Sequence, residues 1–395
     1  MIENVEIKTM NEIPLSVPKF NMNILDNVRE CIETGWVSTG GRFIAEFEKK
    51  VAAYVDVNDA VSTQSGTAGL HLALQVTGVR AGDEVIVPSL TFIAAVNPVK
   101  HIGAEPVFMD CDDGMCIDPD KLEKFCSFNC TLTESGLINN LTKKKVAAII
   151  IVHVFGNMAN MERIMNIAQR YRLIVIEDAT EALGTYYTEG RYKGKFAGTI
   201  GDIGVYSFNA NKIITTGGGG MIVSDNQRYL DEARYLSTTA KDDPLYFVHD
   251  EVGYNYRMLN IQAAFGVSQI DELESFIAIK KTNYELYGEL LHGQEGIRLW
   301  PFNEGIRPNY WFYSIYVDKL KYGLDRDELM KKLLKAKIQC RPVWKLNHTQ
   351  KPYLSAQSVE IERAGDYAAN IVNVPCSVNL SVEQIKYVCE YIRSK

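Results

Sequence analysis

Short apolar runs alternate with helix-forming stretches from about residue 55 to residue 257, and this alternation constrains the fold more than any other feature. Most runs lack polar residues at every second position, which is typical of strands covered by helices on both faces. The pattern predicts an α/β fold with a mostly parallel sheet between two helical layers. The predicted strands are 60–63, 84–88, 106–110, 146–154, 173–177, 204–208 and 221–224, and the predicted helices between them include 66–76, 94–101, 161–171 and 228–236.

The pattern changes near residue 258, where apolar residues at three- and four-residue spacing predict one long helix or two abutting helices over 258–290. Predicted strands 310–317 and 338–343 and predicted helices 325–335 and 382–394 form a smaller α+β unit. We therefore expect two domains. Residues 1–257 hold two N-terminal helices, 21–34 and 43–55, and the large α/β domain, and residues 258–395 hold the connecting helix and the small C-terminal domain.

Composition excludes several functional classes. The net charge of −7 offers no electrostatic footprint for nucleic acid or an anionic membrane. The longest apolar run, 146–152, is about a third of a membrane span. No secretory signal is visible at the N-terminus, so we expect a cytoplasmic protein. The gaps in the cysteine cluster 111, 116, 126 and 130 fit no usual zinc motif, and we expect no metal.

Open parallel sheets bind ligands at the carboxyl ends of their strands, so we examined the residues that follow each predicted strand. After strand 60–63, the turn Ser65-Gly66-Thr67 opens an apolar helix. Its backbone N–H groups, its hydroxyl groups and the positive end of the helix dipole suit a phosphate. An ordinary capped helix start is the alternative interpretation.

Two charged residues follow later strands. Asp178 directly follows the strand 173–177, and a buried acid at this position needs a cationic or N–H partner, although it could equally cap the next segment. Lys212 follows the strand 204–208 among small polar residues and precedes Gly217–Gly220. A desolvated lysine can act as a Schiff-base nucleophile, whereas a lysine near a strand end is more often a solvated surface charge.

An aromatic residue, Phe92, also follows a predicted strand, and its ring could stack on a planar cofactor or pack in the core. Together the strand ends supply a phosphate cup, a stacking ring, an acid for a pyridinium nitrogen and a lysine. This is the set of groups that pyridoxal phosphate (PLP) requires.

Nine motifs spread along the chain resemble the DegT/DnrJ/EryC1/StrS family of PLP-dependent nucleotide-sugar aminotransferases. The resemblance implies the fold-type-I aspartate aminotransferase architecture, with a large three-layer domain and a smaller C-terminal domain. The motifs are Ile13-Pro-Leu-Ser, Gly35-Trp-Val, Phe47-Glu, Ser65-Gly-Thr-Ala, Pro88-Ser-Leu-Thr-Phe, Glu177-Asp-Ala, Ser207-Phe-Asn-Ala-Asn-Lys, Gly253-Tyr-Asn-Tyr-Arg-Met and Arg341-Pro-Val-Trp.

The resemblance implies catalytic roles for Lys212 and Asp178 and a cofactor-binding role for Glu181. Lys212 matches the lysine that holds the cofactor and then moves the proton between Cα and C4′. Asp178 matches the acid that pairs with the pyridine nitrogen. Glu181 matches the polar residue beside the phenolic oxygen of the cofactor, where the family often has Gln.

The resemblance also implies how the cofactor is bound. Phe92 would stack on the ring, and Gly66, Thr67 and Ser207 would hold the phosphate. Asn255 would reach the phosphate from a second subunit, which makes a homodimer with shared active sites a requirement for a complete site.

A lysine at position 212, where dehydratases of the family have His, favours transamination. The resemblance implies L-glutamate as amino donor and the C4 ketone of a nucleotide-linked 4-keto-6-deoxy sugar as acceptor, for a surface-glycan or nonulosonic acid pathway. The amino-acid sequences of the loops that contain Lys212 and Arg341 point first to UDP-4-keto-6-deoxy-N-acetylglucosamine as the acceptor. GDP-4-keto-6-deoxymannose (perosamine-type), a TDP-sugar, a PLP-dependent dehydratase and a catalytically silent sugar-binding regulator are the alternatives.

Four further residues are candidates for contact with the substrate. Arg341 and His348 lie in the C-terminal motif, with ordinary surface positions as the alternative. Trp36 and Thr39 lie in a turn that family members use near the mouth of the active site, with core packing as the alternative.

Overall fold

The computed structural model describes residues 12–243 and 245–394. Residues 1–11 belong to the predicted first domain and to the segment in which we looked for a secretory signal, and they lie outside the described residues, as do Pro244 and Lys395. The α-helices of the described part are, in chain order, α1 (Ile24–Thr34), α2 (Arg42–Tyr54), α3 (Gly66–Val76), α4 (Asn97–His101), α5 (Pro119–Lys124), α6 (Met161–Tyr171), α7 (Gln227–Ser237), α8 (Asn260–Ile270), α9 (Leu273–Leu291), α10 (Lys319–Tyr322), α11 (Arg326–Lys335), α12 (Arg363–Asn370) and α13 (Val382–Arg393).

The strands of the described part form a large sheet, a small sheet and a two-stranded ribbon. In chain order they are β1 (Ala60–Thr63), β2 (Glu84–Pro88), β3 (Glu105–Met109), β4 (Cys130–Thr133), β5 (Gly136–Asn139), β6 (Lys145–Val152), β7 (Ile174–Asp178), β8 (Tyr186–Tyr187), β9 (Ile203–Ser207), β10 (Gly220–Val223), β11 (Ile297–Leu299), β12 (Ile306–Arg307), β13 (Tyr313–Val317), β14 (Arg341–Pro342), β15 (Ser358–Val359) and β16 (Ile371–Val374).

The large sheet has the strand order β1-β10-β9-β7-β6-β2-β3-β15, and the hairpin β4–β5 joins it at β6. Every pairing from β9 to β15 along this order is parallel, whereas β10 is antiparallel to both of its neighbours. The prediction of a mostly parallel sheet covered by helices is therefore confirmed. This topology brings the carboxyl ends of β2, β7 and β9 to one edge.

Successive residues of the central strands point into two separate cores, which explains the absence of polar alternation in the sequence. In β6, Ala148 and Ile150 face one hydrophobic core, and Ile149 and Ile151 face the other. Because water reaches neither face, both sets of side chains are apolar and completely buried. None of the described helices combines the length and the apolarity that crossing a membrane requires.

Beyond residue 257, the structure resolves the two helical possibilities as two helices, α8 and α9, separated at Asp271 and Glu272. The small sheet is antiparallel with the order β11-β13-β16-β14. The predicted strand 338–343 is wrong in extent, because only Arg341–Pro342 pairs with β16. These two residues nevertheless place the following chain beside the large sheet.

The division into domains at residue 257 stays a prediction, and several contacts cross it. Strand β15 pairs with β3 in the large sheet, and β12 pairs with β8. Ile13 forms a bridge with Ile338 of the C-terminal part. Among residues 12–243 and 245–394 no group of His, Cys, Asp or Glu is arranged to hold a metal ion, and the eight cysteines are buried and unpaired.

Candidate active site

A cavity of about 660 Å³ opens at the sheet edge where β7 and β9 end. Its walls come from the start of α3, the residues that follow β2, β7 and β9, and residues 341–345 of the C-terminal part. Eight of the residues singled out in the sequence line this one cavity. They are Gly66, Thr67, Phe92, Asp178, Glu181, Ser207, Lys212 and Arg341.

The start of α3 forms one end of the cavity. The Oγ atom of Ser65 accepts a hydrogen bond from the backbone N–H of Ala68 at 3.1 Å, so Ser65 caps the helix. The first N–H groups of a helix have no partner within the helix, and they attract anions. At Gly66 a Cβ atom would lie 2.9 Å from Thr180 Cγ2 and 3.0 Å from Ser207 Cβ, so only glycine lets the three segments approach this closely.

Asp178 is the last residue of β7, and its side chain is buried with 3% exposure. Its Oδ1 atom accepts a hydrogen bond from the backbone N–H of Thr180 at 3.0 Å. Burial raises the pKa of Asp178, and the bonds to Thr180 and the charge of Lys212 oppose the rise. A cationic N–H group in the cavity would stabilise the carboxylate further.

Glu181, three residues beyond Asp178, is buried and faces Lys212, whose side chain is 13% exposed. Oε1 of Glu181 lies 3.8 Å from Nζ of Lys212, and Oε2 accepts a hydrogen bond from the backbone N–H of Phe155 at 2.8 Å. Burial raises the pKa of Glu181 to about 7 against the opposing charge of Lys212. Burial lowers the pKa of Lys212, and the charges of Glu181 and Asp178 oppose that change. The cavity therefore holds a desolvated amine, as a nucleophilic lysine requires.

Two aromatic residues of this site were missed in the sequence. The ring centroid of Trp311 lies 4.1 Å from Nζ of Lys212. Phe155 packs its ring 4.6 Å from that of Trp344 and adopts a left-handed conformation (φ 56°), which aims its N–H at Glu181. A non-glycine residue held in this region is strained, and such strain concentrates at functional sites. No local sequence signal marks either residue.

The outer part of the cavity carries two cations. Arg341 donates a hydrogen bond to the carbonyl oxygen of Cys340 at 2.8 Å, and Lys345, which the sequence reasoning did not single out, lies four residues further along the same wall. Neither side chain has an ion-pair partner within the described ranges. Both remain available to an anionic ligand.

Four predicted site residues do not line the cavity of their own chain. Trp36 is 58% exposed, and Thr39 lies in the same turn. His348 lies 2.6 Å from Oγ of Ser89 through its Nδ1 atom. Asn255 is exposed on a loop. Their roles in substrate or cofactor binding stay predictions.

The whole chain is similar to known sugar aminotransferases. A model of the DegT/DnrJ/EryC1/StrS aminotransferase family matches residues 18–393. Relatives named GDP-perosamine synthase include proteins of Escherichia coli O157:H7 and Caulobacter vibrioides. That of Escherichia coli O157:H7 is 35% identical and covers 97% of this chain and 98% of its own length. That of Caulobacter vibrioides is 36% identical and covers 96% of this chain and 98% of its own length. Among solved structures, a putative sugar aminotransferase of Streptococcus pneumoniae in its PLP form has a TM-score of 0.86 at 24% identity, and the match covers 97% of this chain and 98% of that chain.

Proposed function

The chain belongs to the DegT/DnrJ/EryC1/StrS aminotransferase family and is thus a PLP-dependent sugar aminotransferase, and from this premise we propose that it makes an amino sugar on a GDP carrier. The proposed reaction moves the amino group of L-glutamate to the C4 ketone of a GDP-linked 4-keto-6-deoxy sugar. The product would enter the synthesis of a surface polysaccharide.

The nucleotide in this proposal corrects the order of the sequence-based alternatives. The loop motifs favoured UDP-4-keto-6-deoxy-N-acetylglucosamine, with GDP-4-keto-6-deoxymannose as the alternative. The relatives named GDP-perosamine synthase match almost the full chain at 35% and 36% identity, and this observation carries the proposal. The UDP-linked sugar becomes one arm of the test.

The residues of the cavity fit PLP. The glycine cradle at Gly66 beside the start of α3 suits the phosphate. The buried carboxylate of Asp178 suits a protonated pyridine nitrogen, and the partly buried, desolvated amine of Lys212 suits the carbonyl carbon. When bound, PLP supplies an electron sink for the bond-breaking steps at Cα.

The proposed roles of this chain's residues follow from their positions. Lys212 would bind the cofactor, give way to the amino donor and then carry the proton that leaves Cα, since its lowered pKa allows a neutral amine. Asp178 would hold the proton of the pyridine nitrogen in place. Arg341 and Lys345 would attract the carboxylates of glutamate and the diphosphate of the sugar nucleotide.

The proposal includes a homodimer in which Asn255 serves the active site of the partner subunit. Asn255 is exposed and lies outside the cavity of its own chain. Its loop is tied to the base of the phosphate turn, because the backbone N–H of Gln64 donates to the carbonyl oxygen of Tyr256 at 2.7 Å. The loop is thus held in a defined position from which it could reach a second chain.

Mass spectrometry of the products tests the proposal. Purified enzyme with PLP and L-glutamate is offered 4-keto-6-deoxy sugars linked to GDP, UDP or TDP, with and without a 2-acetamido group. We expect an amino product from the GDP-linked sugar and none in matched reactions with the K212A variant. An amino product only from the UDP-linked N-acetyl sugar would overturn the nucleotide assignment and leave the aminotransferase reaction in place.

A further inference from the structure

The indole of Trp311 is built into the surroundings of Lys212. Its ring centroid is 4.1 Å from Nζ of Lys212. Among the described residues, no other aromatic ring lies over that amine. Trp311 is 3% exposed, so water competes weakly with this contact. A desolvated ammonium over an indole face is the strongest form of the cation–π interaction in proteins.

Hydrogen bonds fix the position of the indole relative to both Lys212 and Glu181. Nε1 of Trp311 donates to the carbonyl oxygen of Asn211, the residue before Lys212, at 2.8 Å. The backbone N–H of Trp311 donates to the side chain of Asn309 at 2.9 Å. The amide of Asn309 in turn donates to the carbonyl oxygens of Glu181 and Leu183 at 3.0 and 2.9 Å. One segment, residues 309–311, therefore joins the strand ends that carry Glu181 and Lys212.

We propose that Trp311 is a positioning residue that seats the free ammonium of Lys212 between its indole face and Glu181 during the amino-donor half-reaction. The inference rests on the proposed function, because transamination leaves this lysine free between the two half-reactions. In that half-reaction Lys212 loses its C=N bond to the cofactor and leaves as an ammonium. The nitrogen of glutamate passes to the cofactor together with the electron pair and, by way of Lys212, the proton of the broken Cα–H bond. The cofactor carbon is thereby reduced, glutamate is oxidised, and the oxygen of water passes to 2-oxoglutarate.

Stabilisation of the ammonium by Trp311 has a measurable effect on the equilibrium between the lysine-bound form and the amine form of the holoenzyme. Lys212 is free in the amine form of the holoenzyme and covalently bonded in the lysine-bound form, so an indole that stabilises the free ammonium favours the amine form. Without the ring, the equilibrium moves back to the lysine-bound form. A cation–π contact of ordinary strength corresponds to about a 2- to 30-fold change in this equilibrium.

Absorbance titration of the holoenzyme tests the seat. The bound cofactor is brought to equilibrium with mixtures of L-glutamate and 2-oxoglutarate below saturating concentrations. The measured quantity is the ratio of L-glutamate to 2-oxoglutarate at which half of the cofactor is in its amine form. In W311L and W311M, which lack a ring, we expect this ratio to rise about 2- to 30-fold. In W311F, which keeps a ring without the tether to Asn211, we expect a smaller rise.

The control variant is W300F. Trp300 lies outside the active-site cavity and packs its ring 4.7 Å from that of Tyr367, and no contact with Lys212 is present among the described residues, so the half-conversion ratio is expected to stay at the wild-type value. A wild-type ratio in folded W311L and W311M would overturn the inference. If neither variant binds cofactor, an unchanged ratio in W311F would overturn it instead. Failure of glutamate to convert the wild-type cofactor at all would reject the proposed function and is therefore a distinct outcome.

Discussion

Glu181 and Lys212 face each other inside the cavity, with Oε1 of the carboxylate 3.8 Å from Nζ of the amine. The two residues stand at the ends of different strands, and their separation is a product of the parallel pairing between β7 and β9. Burial pushes both groups toward their neutral forms while each charge stabilises the other. The pair is therefore sensitive to pH, to substitution and to anything that enters the cavity.

Removal of the amine is expected to abolish the reaction. K212A should lower turnover at least about 10³-fold, because the variant lacks the amine to which we assign the transfer of the proton from Cα. Mass spectrometry of the amino product measures the loss, and circular dichroism checks that the variant is folded. Normal turnover in folded K212A would reject the assigned chemistry.

Removal of the charge of Asp178 is expected to slow the reaction while leaving the local structure intact. In D178N the side-chain oxygen can still accept the hydrogen bond from Thr180, but it no longer stabilises a cationic nitrogen. We expect turnover to fall about 10²- to 10³-fold. Stopped-flow absorbance of the donor half-reaction measures this effect, and a wild-type rate would show that the carboxylate is only a cap.

The pH dependence of stability is expected to change when Glu181 is replaced by Gln. Burial raises the pKa of Glu181 to about 7 from 4.5, so the folded protein binds more protons than the unfolded chain between these values. The contribution of Glu181 to the free energy of unfolding is fully present below about pH 4.5 and is lost as the pH rises through about 7.

In E181Q the side chain does not ionise, so stability is not lost in this way as the pH rises. The amide oxygen of the glutamine can still accept the hydrogen bond from the backbone N–H of Phe155. In protein stripped of cofactor, we expect wild type and E181Q to be similar at pH 4.5 and E181Q to be more stable at pH 8, by at most about 3 kcal/mol. Urea unfolding at both pH values measures the difference. A gap of equal size at both values would contradict the raised pKa.

The cradle at Gly66 is expected to tolerate no side chain. In G66A the new Cβ would lie 2.9 Å from Thr180 Cγ2, so the segments must separate, at a cost of about 1–3 kcal/mol in unfolding free energy. Cofactor affinity, measured by equilibrium dialysis, should fall as well. G365A is the matched control, since its Cβ meets no atom within 4 Å and alanine favours the helix by up to about 1 kcal/mol.

Shared active sites are expected to show complementation between two inactive variants. N255A should lack a cofactor contact supplied to the partner, and K212A should lack the amine. A mixed dimer would contain one site with both native residues, so random pairing of equal amounts restores about a quarter of wild-type activity. Activity that stays at the level of the separate variants after subunit exchange would show that Asn255 does not act across an interface.

Much of the fold was predictable from local patterns. Uninterrupted apolar runs identified most strands of the large sheet, and strand 60–63 and helices 66–76 and 161–171 match the structure residue for residue. Strand 338–343 was overestimated, because only Arg341 and Pro342 form a ladder with β16, whereas Ile338 makes an isolated bridge with Ile13 and Val343 is buried beyond the ladder. The short strand β15, which joins the large sheet from the C-terminal part, has no pattern long enough to detect.

The sequence by itself determined which chemical groups the site contains, because a group that follows a buried parallel strand emerges at the ligand-binding edge whatever the details of packing. Tertiary structure alone decided which groups meet. Trp311 and Asn211 are 100 residues apart in the chain and hydrogen-bonded in the fold, and Phe155 reaches Glu181 through a strained turn. Contacts of this kind depend on how the sheet, the helices and the C-terminal segments pack together, and no local periodicity encodes that arrangement.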